Sequence, residues 1–465
     1  MTPVSVTPQA VLDRSDELRR GLDGSFRDSM VASLYQRAGE LAGRSVREQG
    51  AGKWDFDQRI DRILTSRWLG LPVMLLLLGA VFWVTILGAN VPSQMLANGF
   101  FAVEAAAAGW FESMGAPWWL TGLVWHGIFR GLAWVVSVML PPMAIFFPVF
   151  TILEDLGYLP RVAFNLDWLF RKAGAHGKQA LTMAMGFGCN AAGVTSTRII
   201  DSPRERLLAI LTNNFVPCNG RFPTLIMLAV IFVAAAVPPA AAAFAAAAAV
   251  VAVVLLGVCF TLGVSWALSR SLLSGEASAF TLEMPPYRRP SILRILYTSL
   301  IDRTIFVLGR AMLTAAPAGA LIWILANVQA GGTTLADRSI SLLEPLGTAI
   351  GLDGVILLAY VIAIPANEIV VPTMLMCYLG GAMMMDITTY EQIREVLVGQ
   401  HGWTMLTAVN LMLFSLLHNP CATTILTIWK ETRSARWTAL GALMPLGLAF
   451  LVCLATAQAV RLLPL

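Results

Sequence analysis

The sequence predicts an all-α fold, a polytopic transmembrane helical protein with two inverted repeats containing broken helices. Three observations predict it. Of the 465 residues, 57% are hydrophobic and 13% charged, with a mean hydropathy of +0.70; a soluble domain carries about a quarter charged residues. The charge is concentrated at one end: residues 1–67 hold 11 Lys/Arg and 10 Asp/Glu, leaving 39 of the 60 charged residues for the other 398 positions. The apolar remainder also contains helix-breaking strings that recur in the same order in its two halves.

Taken in chain order, the first 50 residues have mixed charge and no apolar run, which separates them from a secretory signal. Residues 25–49 place Met30, Leu34, Ala38 and Leu41 at helical spacing, an amphipathic helix with charges on its other face. Arg59, Arg62 and Arg67 stand just before the first clear span, about Leu69–Gly88, so the positive-inside rule puts the N-terminus in the cytoplasm. Gln94–Trp119, with Glu104, Glu112, Trp110, Trp118 and Trp119, reads as interfacial, because amphipathic rings favour the headgroup level. Further spans are expected at about 130–153, 206–232, 239–268, 305–328, 353–380, 402–428 and 438–460. The Ala/Val run at 234–254 is a lipid-facing or packing helix. Loop 270–310, with Arg270, Arg288, Arg289, Arg294, Arg303 and Arg310, is placed inside, and loop 329–352, with Arg338 alone, outside.

The strings Val216-Pro217-Cys218-Asn219-Gly220-Arg221 and Asn419-Pro420-Cys421-Ala422-Thr423 each put Pro-Cys inside a long hydrophobic span. Upstream of each lies a second break, Gly186-Phe187-Gly188-Cys189-Asn190 in one half and Ile364-Pro365-Ala366-Asn367-Glu368 in the other. Walking the topology makes the two halves antiparallel, an arrangement in which broken helices meet near the midplane. Broken backbone is tolerated there only where it faces protein or a polar cavity.

Glu368 falls inside a span, where an acid costs roughly 2.5–3.5 kcal/mol on insertion scales, so it is a candidate functional residue. Asn367 beside it can offer a carbonyl to a cation. Cys189 follows two glycines that permit an unwound turn, and Asn190 is counted with it. Cys218 and Cys421 each follow a proline, which frees a carbonyl one turn earlier for a ligand or water. Sulfur donors suit borderline and soft metals such as Fe(II) and Zn(II). Cys259, Cys377 and Cys453 lack such context and read as small hydrophobes. Glu154-Asp155 end a span as a solvated acidic cap or as a cation exit. His418 is either an imidazole ligand or a structural hydrogen bonder, and His126, His176 and His401 have no ligand-like company. If the charged turn Thr195–Arg206 is cytoplasmic, 180–197 re-enters; otherwise it crosses.

Other classes are excluded by what is missing. Six cysteines in apolar stretches do not make a disulfide framework, and a net charge of +4 does not suggest nucleic acid. There is no G-x-S-x-G, H-E-x-x-H or dinucleotide fingerprint. The Gly-Lys pairs at 52–53 and 177–178 lack the upstream Gly and following Ser/Thr of a phosphate loop.

At these residues the chain resembles the membrane part of the ferrous iron transport protein B family. The matching pieces are IDRILTSRWLGLPVM at 60–74, ILEDLGYLPRVAFNLDWLFRKAG at 152–174, GFGCNAAGVTSTRIIDSPRERLLAIL at 186–211, PCNGRFPTL at 217–225 and NPCATTILTIWKETRSARWTAL at 419–440. The resemblance implies a cytoplasmic helical head at 1–67 and a first span with interfacial helices at 68–129. A gate module follows at 130–235, then a connecting span and cytoplasmic loop at 236–304, a second gate module at 305–430 and a C-terminal span at 431–465. It implies a ferrous iron permease in a bacterial inner membrane, Fe(2+) as the transported substrate, no permanently bound cofactor, and a metal path on Cys189, Cys218, Cys421 and Glu154-Asp155. Implied partners are the bilayer, a separate G protein or small accessory Feo protein, and a second copy of the chain.

Two departures from the family pattern matter. A GTP-binding domain is expected ahead of the head, where only the tail of a helical domain stands, so no nucleotide site is expected in this chain. The second gate reads Ala366-Asn367-Glu368 where the family has Ala-Lys-Glu, which leaves the acid freer to bind a metal and keeps Mn(II) or Zn(II) as alternative substrates. A gate-fold carrier of organic solutes such as nucleosides and a membrane anchor for a separate GTPase are the other readings.

Overall fold

The computed structural model describes residues 9, 14, 17, 26–45, 59–66, 69–275, 287–330, 332–378 and 390–462. Expectations for the rest of the head and for 276–286 of the connecting loop lie outside the described residues. Among those described, five helices are long and apolar enough to cross a membrane: Trp118–Asp155, Pro203–Ala236, Pro239–Arg270, Met405–Thr432 and Ala435–Leu462. Shorter apolar helices include Gly70–Thr85 and Ala311–Asn327.

The first span and the stretch read as interfacial form one helix, Gly70–Ser113, of 44 residues. At 1.5 Å per residue it is about 66 Å long, twice the hydrocarbon thickness. Glu104, read as interfacial, is instead packed inside the protein. It is 3% exposed, and His126 Nδ1 and Arg130 Nε lie 2.6 and 3.3 Å from its two oxygens. Trp110, Trp118 and Trp119 remain exposed, as belt residues should.

Each half of the remaining chain repeats one order: a span, a surface helix, a hairpin, then a broken span. In the first half these are Trp118–Asp155, Tyr158–Lys172, the pair Gln179–Gly188 and Asn190–Ser196, and Pro203–Ala236. In the second they are Phe306–Asn327, Leu335–Ala349, the pair Gly354–Ile362 and Val370–Tyr378, and Met405–Thr432. The two leading spans cross at glycines: a Cβ on Gly131 would fall 3.1 Å from the Cα of Gly319. Small residues at such a crossing let backbones touch, which is how helices associate where lipid supplies no hydrophobic drive.

Region 353–380, read from sequence as a crossing span, instead doubles back as a hairpin over its described residues, 353–378. The Tyr378 hydroxyl bonds Asp353 and accepts from Trp403 Nε1 at 3.1 Å, so the two ends of this hairpin meet. The surface helix before it turns through 112° to enter. Length misled the sequence reading, since two short helices and a turn carry as many apolar residues as one span. The first hairpin closes in the same way: Lys178 Nζ reaches Ile199 O at 2.9 Å and Asp201 at 2.8 Å.

The hairpins enter from opposite ends. Arg198 at the first base pairs with Glu431, at 2.9 Å from Nε and 2.7 Å from Nη2, where Met405–Thr432 ends. Trp403 at the second base stands where that same span begins. Phe232, near the end of the first broken span, stacks 6.3 Å from Trp403, so the two broken spans run antiparallel. The two halves are therefore inverted, and the hairpin tips meet between them. Within Pro239–Arg270, only 11% of its most apolar 18-residue window is buried, which fits the lipid-facing reading of its Ala/Val run.

Candidate metal path between the hairpin tips

The two tips share a backbone. Cys189 has φ −153° and ψ 123°, and Ala366 has φ −152° and ψ 119°. Cys189 and Ala366 are structural equivalents, and so are Asn190 and Asn367. Each broken span opens at its Pro-Cys, with Cys218 and Cys421 both extended. Proline removes one helical donor in each span, and the chain leaves the helix there.

Around these four breaks lies a cavity of about 30 Å³, lined among others by Cys189, Asn190, Cys218, Asn367, Glu368 and Cys421. Six of the residues picked from sequence are thus brought together. Glu154 and Asp155 are not: both are exposed at the end of Trp118–Asp155, away from the tips. Two residues that sequence reasoning missed, Met139 and Met143, also line the cavity. Among the described residues no three His, Cys, Asp or Glu side chains close into a ready-made metal cluster.

Arg221 was missed as well, although it sits in the quoted string and inside a span, where the rule that singled out Glu368 applies equally. It is 1% exposed. Its Nη1 donates to Asn214 O and Leu416 O, both at 2.8 Å, and its Nη2 to Asn214 Oδ1 at 3.0 Å and His418 O at 3.2 Å. Leu416 O is the carbonyl that Pro420 frees. The expectation that it would serve a ligand or water is corrected: the other module's arginine occupies it. A guanidinium is suited to this role because its planar fork serves several acceptors at once.

More bonds join tips to breaks. Ala422 N donates to Ile364 O at 2.7 Å, Asn213 Nδ2 to Asn190 O at 3.1 Å, and Asn214 Nδ2 to His418 O at 2.7 Å. His418 is 2% exposed; its Nδ1 faces Phe414 O and Ser415 O, and its Nε2 lies 3.3 Å from Asn367 Oδ1. Nδ1 thus holds His418 against backbone carbonyls, and Nε2 faces the second tip. His126 does have company, in Glu104, but far along the chain from the cysteines.

Fold and site together define a polytopic α-helical membrane protein of the two-gate type, with a small sulfur- and carboxylate-lined centre. The family model described as "Nucleoside recognition" (Gate) matches residues 136–232 and 308–435, and that of the "Ferrous iron transport protein B C terminus" matches 250–302. The chain belongs to the ferrous iron transport protein B family, whose membrane part it resembles. Among curated relatives, "Fe(2+) transporter FeoB" of Staphylococcus aureus is 28% identical over 411 residues, covering 85% of this chain and 58% of its own length. That of Synechocystis sp. is 30% identical over 402 residues, covering 84% and 61%. That of Campylobacter jejuni is 25% identical over 398 residues, covering 83% and 62%. The chain thus spans about three fifths of the length of these relatives. No solved structure matches it significantly.

Proposed function

We propose that this chain is the permeation unit of a ferrous iron transporter in a bacterial inner membrane, moving Fe(2+) toward the cytoplasm. The observation that carries the reading is the convergence of three thiols and one carboxylate, from four helix breaks in two inverted modules, on one cavity of about 30 Å³. A buried water needs at least about 10–15 Å³ of such volume. The cavity has room for an ion stripped of most of its water, and far less than the roughly 300 Å³ at which pockets for organic ligands begin. The size therefore favours a metal over a nucleoside. Cys189, Cys218 and Cys421 offer sulfur, Asn190 and Asn367 offer amide oxygen, and Glu368 supplies negative charge. Mixed weak donors suit passage, since conduction needs a site that an ion can leave.

The N-terminus is assigned to the cytoplasm. Asp61 bonds Arg161 and Tyr287, and Arg204 beside the first hairpin bonds Leu273 O; the stretches carrying Arg59, Arg62, Arg204, Arg270 and Arg288 thus meet on that side, and positive residues stay inside. Glu154 and Asp155 lie toward that face and would receive the ion on exit. A separate G protein or small accessory protein would dock on the head.

The test is uptake of Fe(II) into vesicles holding the purified chain, with Mn(II) and Zn(II) as competitors, with and without GTP and a companion G protein. A Cys189→Ser, Cys421→Ser double variant is expected to lose Fe(II) uptake. Undiminished flux in that variant would remove the thiols from the path.

A further inference from the structure

Two methionines line the same cavity from the first module's leading span. Met139 and Met143 are four residues apart, on one face of the helix, and flank Pro141-Pro142. Met143 is 3% exposed and belongs to a core cluster with Phe146, Phe147, Phe150 and Cys189. Met139 packs against both that cluster and the main one, at the seam where the cavity lies. At the corresponding wall the second module supplies Ala311.

Methionine commonly fills irregular core gaps, and packing alone would account for either residue. The pair stands out because of the company it keeps. The cavity is lined by five sulfur-bearing residues, Met139, Met143, Cys189, Cys218 and Cys421, against a single carboxylate, Glu368. Thiol and thioether donors select soft and borderline cations, whereas Mg(II) and Mn(II) prefer oxygen. A thioether is also uncharged and does not titrate, so it can hold an ion without a proton leaving first.

We propose that Met139 and Met143 are thioether donors of this cavity and make it selective for soft, reduced cations, so that Cu(I) is a substrate beside Fe(II) while Mn(II) is discriminated against. This rests on the transport reading above. The low charge of Cu(I) matches the single acid: Glu368 balances +1.

The experiment compares wild type with a Met139→Leu, Met143→Leu double variant, a volume-conserving swap that cores tolerate. Vesicle uptake of Fe(II), Mn(II) and Cu(I) is measured under reducing, oxygen-free conditions. Equilibrium Cu(I) binding to the purified protein is measured separately, by competition with a chromogenic chelator. In the variant the Fe(II):Mn(II) flux ratio is expected to fall about 10-fold, the scale on which altered metal environments act. Cu(I) affinity should fall similarly, with Mn(II) flux retained. An unchanged ratio together with unchanged Cu(I) affinity overturns the proposal. Wild type that carries no metal yet binds Cu(I) through these methionines would defeat the transport reading and leave the donor assignment standing.

Discussion

The carboxylate of Glu368, at the tip of the second hairpin, lies directly against the Cα of Gly220 in the break of the first broken span. A Cβ built on Gly220 would fall 2.6 Å from the Glu368 carboxyl carbon, closer than any real contact. The acid of one module is thus seated in the backbone of the other, and only glycine leaves room for it.

Gly220→Ala is therefore expected to push Glu368 out of the cavity. Overpacking of this kind costs about 1–3 kcal/mol, so the protein should still fold while metal flux falls about 10- to 100-fold, the range for a disturbed ligand shell. Glu368→Asp, one methylene shorter, should recover part of that loss when combined with it. A double-mutant cycle of uptake rates measures the coupling; strict additivity would mean that the two residues act separately.

Arg221 ties the carbonyls of both breaks, so Arg221→Lys should loosen the join between modules. Lysine keeps the charge but not the planar fork. Each buried carbonyl left unpaired costs about 1–3 kcal/mol. The variant is expected to melt earlier in detergent, and its Cys218 and Cys421 should react faster with a small maleimide. Unchanged labelling would show that the join holds without the guanidinium.

The re-entrant hairpins make a prediction about sides. In a background free of other reactive thiols, Asp353→Cys and Tyr378→Cys should be labelled by a membrane-impermeant reagent from one face. Lys178→Cys and Asp201→Cys should both be labelled from the opposite face. Labelling of residues 353 and 378 from different faces would restore a crossing span.

Outside the membrane, Asp61 fastens the end of the head to the first module. Arg161 donates to it at 2.9 and 3.2 Å, and the Tyr287 hydroxyl donates at 2.7 Å. Burial alone would raise its pKa, but the hydrogen bonds from Arg161 and Tyr287 and the charge of Arg161 outweigh that and hold it below the usual carboxylate range. A group depressed on folding contributes stability above its unfolded value, about 3.9 for Asp, and loses it as pH falls through the folded value. Protection from hydrogen exchange over 59–66, taken relative to the intrinsic exchange rate at each pH, should stay flat from pH 8 to about 5 and fall only below the ordinary Asp range. Asp61→Asn should lower that protection already at neutral pH. A loss of protection between pH 7 and 6 in the wild type would point to another group.

Composition and pattern alone determine a good deal of this protein. Apolar runs of bilayer length mark most of its spans, and paired Pro-Cys strings mark the two modules. The cysteines and Glu368 stand out because unusual residues at helix breaks are costly there unless used. These signals are local, carried by residues near one another in the chain, and they survive without knowledge of the fold. What a one-dimensional reading could not decide is where separate breaks meet. Region 353–380 has the apolar length of a span, and only the Asp353–Tyr378 bond shows that it turns back. Met139 and Met143 look like ordinary core until the hairpin tip stands beside them. Arg221 reaches Leu416, and Glu368 rests on Gly220, across 195 and 148 positions of sequence. Such partners are chosen by packing between inverted halves, so the tertiary structure alone decides which freed carbonyls are capped and which donors share the cavity.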